Sequence, residues 1–186
     1  MAALAVASGC GDHSARPVEA VKPAPPALAF QEQLVKVVRT VSPTVVQIQT
    51  RVGLGSGVVY DGNGNVVTNA HIVGTAKEFT VTLADGIHEA PLVGAFPADD
   101  LAVIRLEGEK PAPASFADSS KIEVGDIALA IGNPLGLRSS VTQGIVSSRG
   151  RTVSEGNGVV LPSVIQTSAD INPGNSAARS STSRDV

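Results

Sequence analysis

Cysteine, tryptophan, tyrosine and histidine are scarce: the 186 residues include one Cys, no Trp, one Tyr and three His, and nowhere do 18 apolar residues run together. Each scarcity excludes something. A single cysteine, Cys10, allows neither an intrachain disulfide nor a four-cysteine zinc site, and three scattered histidines without a Cys/His cluster argue against a metal enzyme. A membrane-spanning helix needs a longer apolar run than the chain has. Few aromatics leave no stacking platform for single-stranded nucleic acid. With 14 Lys plus Arg against 17 Asp plus Glu, a net charge of −3 and no basic run, the chain lacks the electrostatic footprint of a nucleic-acid binder. What remains is 42% hydrophobic and 17% charged residues, enough to build one globular core with a tail or linker.

Residues 1–10, MAALAVASGC, are small and apolar, and Cys10 follows Ala7-Ser8-Gly9 in a pattern that resembles the lipobox of a bacterial lipoprotein signal. That resemblance implies cleavage before Cys10, lipidation of its thiol and a membrane-tethered protein of the bacterial periplasm or cell envelope. No Lys or Arg precedes Arg16, so the basic start of a complete signal is missing, and an Ala-rich terminus with a free thiol is the plain alternative. Pro17, Pro23, Pro25 and Pro26 make residues 11–30 read as an extended tether, with His13 solvated on it. A short helix is expected over 31–40, where Leu34, Val37 and Val38 fall at i, i+3 and i+4, and Ser42-Pro43 should stop it.

Beyond that point the chain reads as short strands rich in Val and Ile: 45–50, 55–61, 65–73, 79–85, 92–96, 100–106, 126–132, 141–148 and 159–169. Asp61-Gly62-Asn63-Gly64 and Asp85-Gly86 are hairpin signals between them. No long helical pattern interrupts the series, and parallel sheets need such crossovers, so an all-β, antiparallel barrel or sandwich is expected.

Three segments carry potentially reactive side chains. His71, in Thr68-Asn69-Ala70-His71-Ile72-Val73, stands at the end of a predicted strand, where an imidazole can exchange protons near neutrality. Asp99-Asp100 opens the apolar strand Leu101-Ala102-Val103-Ile104, and a carboxylate at such a boundary can orient an imidazole. Asn172-Pro173-Gly174-Asn175-Ser176 makes a tight turn with a serine two residues after a glycine, a local setting for a nucleophile beside backbone donors. Singly, each has a structural reading: a histidine packed at a strand end, a solvated strand cap, an ordinary turn. Together they give base, orienter and nucleophile in the order His, Asp, Ser within an all-β chain, the order of one convergent version of the serine-protease triad.

From about residue 41 to 176 the chain resembles the HtrA/Deg family of trypsin-like serine proteases. SPTVVQI, GSGVVYDGNGNVVTNAHIV, DDLAVIRL, VGDIALAIGNPLGL, VTQGIVSSRGR and IQTSADINPGNS match its signature blocks in order. The resemblance implies a chymotrypsin-like double β-barrel, with His71 as general base, Asp100 rather than Asp99 as its orienter, Ser176 as nucleophile, and the amides of Gly174 and Ser176 as oxyanion hole. Gly132-Asn133-Pro134-Leu135-Gly136-Leu137 resembles a positioning loop near the family's active site. No metal or organic cofactor is implied. Substrates would be unfolded or misfolded polypeptides, cleaved through an acyl-enzyme, and the family commonly forms homotrimers and larger assemblies. Asp170 lies six residues before Ser176, where trypsins carry their basic-residue selector, but the family generally prefers small aliphatic residues, which leaves Asp170 as a solvated loop acid.

The family motif continues Gly-Asn-Ser-Gly-Gly-Pro-Leu, whereas here Ser176 is followed by AARSSTSRDV. Those residues show no apolar alternation and are expected to supply no core strand. The expected organisation is a signal segment at 1–10, tether and short helix at 11–40, a truncated protease domain with an incomplete second barrel at 41–176, and an unrelated tail at 177–186. The alternative to an active endopeptidase is a catalytically inactive fragment that at most binds polypeptides.

Overall fold

The computed structural model describes residues 24–50, 53–83, 85–108, 110–132, 140–154 and 160–171, and the backbone of 179–182. The chain enters through helix α1 (Pro25–Val41), which starts six residues earlier than the apolar pattern predicts. Pro25 explains the difference. At the first helical position a proline loses no hydrogen bond, and its fixed φ suits the helix, so prolines that read as an extended tether instead open the first turn. At the other end the Thr44 hydroxyl donates to the Val41 carbonyl (2.8 Å) across a 3₁₀ turn at Ser42–Thr44.

Strands β1 (Val45–Gln49), β2 (Leu54–Val59), β3 (Asn65–Asn69), β4 (Glu78–Leu83), β5 (Gly86–Phe96) and β6 (Leu101–Arg105) close into an antiparallel barrel in the order β1-β2-β3-β6-β5-β4. Alternation puts Val66 of β3, Phe79 and Val81 of β4, and Ala102 and Ile104 of β6 into one core with Val46, Ile48, Val59, Ala90 and Leu106. The β2–β3 hairpin forms at Asp61-Gly62-Asn63-Gly64 as its sequence signals. Asp61 Oδ1 accepts the amides of Asn63 (3.0 Å) and Asn65 (3.1 Å), and Gly64 takes the left-handed φ of 81°. Pairing of Leu83 with Gly86 forms the β4–β5 hairpin, and β5 runs six residues longer at its start than expected.

A second sheet, in the order β10-β7-β8-β9, comprises β7 (Ile127–Gly132), β8 (Ser140–Ser154), β9 (Val160–Thr167) and β10 (Arg179–Thr182). Among the described residues one closed barrel stands beside one open four-stranded sheet, in keeping with the expected all-β double barrel. The backbone of residues 179–182, where the sequence promises no core strand, pairs antiparallel with β7 at the edge of this sheet, from Arg179 opposite Ile131 to Thr182 opposite Ala128. Ladder pairing uses main-chain donors and acceptors, which an apolar-alternation criterion does not see. The two halves meet along β1. Val46 and Ile48 serve the barrel core, while Val45 packs with Leu129 and Ile131 of β7 under Val37 and Val41 of α1. β9 also touches the 3₁₀ turn Pro97–Asp99 between β5 and β6.

Candidate active site

His71 and Asp100 are 29 residues apart in the chain, and the barrel brings them together because β3 and β6 are antiparallel neighbours. Asn69, the last residue of β3, lies opposite Leu101, the first of β6. The residues just beyond one strand end therefore face those just before the other. His71 does not continue β3 as predicted; it sits in a one-turn helix, α2 (Ala70–Val73), packed through Ala70 and Val73. The turn is locked when the Ala70 amide donates to the Asp100 carbonyl (3.0 Å) and the His71 amide to Asp100 Oδ1 (2.9 Å).

Asp100 Oδ2 then lies 2.8 Å from His71 Nδ1 and accepts the side-chain amide of Asn69, also at 2.8 Å. An ionised carboxylate only accepts, so Nδ1 carries the proton in this pair and Nε2 is left to exchange one with a substrate group. The Asp100 side chain is 12% exposed and that of His71 57% exposed, an arrangement that half-buries the orienter and leaves the base accessible. To reach this geometry Asp100 adopts the left-handed conformation (φ 51°, ψ 38°), which Asp tolerates better than most residues. Asp99 belongs to the preceding 3₁₀ turn, and Asp100 is the one that meets the imidazole. Asn69 contributes a contact that sequence reasoning did not assign; its signal was an amide side chain two residues before His71.

Burial opposes ionisation of the Asp100 carboxyl. It is outweighed by the His71 amide, the His71 imidazole as hydrogen-bond donor and as charge, and the Asn69 amide, which together hold Asp100 below the usual carboxylate range. A carboxyl depressed by folding contributes stability above its unfolded pKa and loses that contribution as pH falls through the folded value. Urea-denaturation midpoints measured downward from about pH 5 should therefore fall more steeply for the natural chain than for Asp100→Asn. Parallel profiles would show that the pair adds nothing to acid stability.

A histidine beside a carboxylate is not in itself a site. His88 Nε2 lies 3.0 Å from Asp85 Oδ1 and its Nδ1 3.3 Å from the Glu107 carbonyl, an arrangement that ties the β4–β5 turn to the segment after β6. Both ring nitrogens of His88 are engaged within the fold, whereas among the described residues only Nδ1 of the His71 ring has a hydrogen-bond partner. Among the described residues no group of three or more His, Cys, Asp and Glu is placed to hold a metal ion. Gly174 and Ser176, the lipidation candidate Cys10, His13 and residues 133–137 of the positioning loop lie outside the described residues. Asp170 is exposed, and its carbonyl accepts the Thr142 hydroxyl.

Residues 55–178 match the trypsin-like peptidase domain. The chain is 45% identical over 123 residues to a probable periplasmic serine endoprotease, DegP-like, of Chlamydia trachomatis, covering 66% of this chain and 24% of the relative. It is 45% identical over 124 residues to a protein of the same description from Pseudomonas putida, covering 66% and 25%. The chain thus spans about a quarter of the length of these curated relatives. Among solved structures, the crystal structure of Deg5 superposes with a TM-score of 0.75 at 36% identity, covering 84% of this chain and 82% of that one. The HtrA-type protease AlgW with tripeptide superposes with a TM-score of 0.72 at 36% identity, covering 80% and 50%. With the closed barrel, the open second sheet and the His71–Asp100 pair at the barrel's rim, these likenesses place the chain in the HtrA family of trypsin-like serine proteases.

Proposed function

We propose that the protein is a serine endopeptidase that hydrolyses unfolded or misfolded polypeptides in the bacterial periplasm. The observation that carries this reading is the 2.8 Å contact between His71 Nδ1 and Asp100 Oδ2, with the imidazole accessible and the carboxylate half-buried. In the proposed reaction Ser176 Oγ attacks the scissile carbonyl and His71 Nε2 takes the hydroxyl proton, then returns it to the leaving amine. Asp100 keeps Nδ1 protonated and stabilises the imidazolium that forms. The amides of Gly174 and Ser176 receive the charge that develops on the carbonyl oxygen, and water then frees the acyl group. No metal or organic cofactor takes part.

The compartment follows from the relatives, which are described as periplasmic serine endoproteases. Lipidation at Cys10 would anchor the protein to a membrane, with residues 11 to about 24 as the spacer and residues 41–176 as the protease unit. Homotrimers are the assembly proposed, by analogy with the family.

Labelling with a fluorophosphonate tests the chemistry. The folded, purified chain should be modified at Ser176, and Ser176→Ala and His71→Ala should not be labelled. A folded chain that takes up no label, or takes it up equally after Ser176→Ala, overturns the enzymatic reading and leaves a polypeptide-binding β-domain in its place.

A further inference from the structure

Beyond the end of β9 the chain does not leave the second sheet. Thr167, the last residue of β9, and Ser168–Asp170 beyond it are fastened along the first half of β8 by hydrogen bonds additional to the strand ladder. Ser168 donates its amide to the Ile145 carbonyl (3.0 Å), and its Oγ accepts the Ile145 amide (3.0 Å). The Thr167 hydroxyl also reaches the Ile145 carbonyl (3.0 Å) and accepts the Ala169 amide (3.0 Å). Two residues further on, the Thr142 hydroxyl donates to the Asp170 carbonyl at 2.6 Å.

This crossing is tighter than sheet pairing, where neighbouring strands lie about 4.7–4.9 Å apart. A Cβ built on Gly144 would overlap the Ala169 amide nitrogen and stand 2.6 Å from the Ser168 carbonyl carbon and 2.7 Å from the Ala169 Cα. All three are backbone atoms, which cannot rotate away. Gly144 is therefore required as the absence of a side chain, and Ala169, lying against it, is buried. β8 is itself fixed to β7, with Thr142 opposite Ala130 and Gly144 opposite Ala128, while β9 touches the 3₁₀ turn that precedes Asp100.

We propose that Gly144 and Thr142 are positioning residues that clasp the run-up Ser168–Asp170 and so set the placement of the nucleophile relative to the His71–Asp100 pair. The proposal rests on the reading of Ser176 as nucleophile, six residues after the clasped Asp170. Gly144 supplies the close approach and Thr142 the hydrogen bond to Asp170 at the end of the clasped stretch. Neither side chain touches substrate, so their effect is on alignment, where an error of about 1 Å costs about a hundredfold in rate.

The test compares Thr142→Val, which keeps the shape and removes the donor, with Thr142→Ser, which keeps the donor, on the full chain. Readouts are the rate of fluorophosphonate labelling at Ser176, the low-field proton resonance of His71 Nδ1–H, and the thermal midpoint. Thr142→Val should slow labelling about ten- to a hundredfold, and Thr142→Ser should restore it, with the His71 resonance unmoved. Gly144→Ala should slow it at least as far, because the overlap displaces the run-up backbone. Labelling of Thr142→Val at the natural rate overturns the clasp. So does a loss that Thr142→Ser fails to rescue, or one that moves the His71 resonance along with the rate. A natural chain that does not label overturns the nucleophile reading itself, a result distinct from the failure of the clasp alone.

Discussion

Replacing Asp100 with asparagine should lower turnover by about ten-thousandfold while leaving the barrel folded. The reason is in the donors that converge on the carboxylate. Oδ1 accepts the His71 amide at 2.9 Å, and Oδ2 accepts the Asn69 amide at 2.8 Å and faces His71 Nδ1 at 2.8 Å. An asparagine has one oxygen for two positions that both require an acceptor. If its oxygen stays with the His71 amide, its NH₂ points at Nδ1, which must then accept. The proton moves to Nε2, the wrong tautomer for the proposed transfer from Ser176 to His71. If the amide flips, a donor faces the His71 amide and the helical turn carrying the base loses its lock.

Asparagine is the right probe because it tolerates the left-handed conformation observed at φ 51°, so the substitution tests the carboxylate rather than the backbone. Steady-state peptide hydrolysis and labelling kinetics would measure the loss, with circular dichroism confirming that the fold is kept. A loss of less than about tenfold would remove Asp100 from its proposed role.

Truncating Ile104 to alanine should cost about 2–5 kcal/mol of folding stability, a large share of the roughly 5–15 kcal/mol a domain has. Ile104 is 0% exposed and lies within β6, opposite Val66 on one side and Leu92 on the other. The barrel is closed on itself, so its walls cannot slide together to fill the space left by the missing carbons. At an m-value of about 2 kcal/mol/M the urea midpoint should fall by about 1–2.5 M. The same truncation at Ile87, which is 70% exposed, should stay within about 0.5 kcal/mol. Because β6 begins at the residue after Asp100, labelling at Ser176 should be lost at the lower urea concentration too. Equal midpoints for the two variants would mean that the barrel core is not what holds the site.

Much of the fold is legible in the sequence because a half-buried strand writes its period directly. Alternation along 65–69, 79–83 and 101–105 marks the faces of β3, β4 and β6, and Asp61-Gly62-Asn63-Gly64 marks the hairpin between β2 and β3. The errors fall where local signals have two meanings. Pro25 and Pro26 suit an extended tether and equally the first turn of a helix, and burial of Val37 and Val41 against Ile131 selects the helix. Asn69-Ala70-His71 reads as strand until the Asp100 carboxylate captures the His71 amide and bends the chain into α2.

By itself the sequence determined the all-β architecture, through strand periodicity and turn residues that are local properties of the chain, while the preference for Asp100 over Asp99 came from the resemblance of its motif blocks to the HtrA/Deg family. Only the tertiary structure decided that Asn69 stands opposite Leu101, that Asn69 donates to the same carboxylate as His71, and that Gly144 leaves room for Ala169. Register and close approach are relations between segments far apart in the chain. They are fixed when the barrel and the sheet close, and no window of neighbouring residues records them.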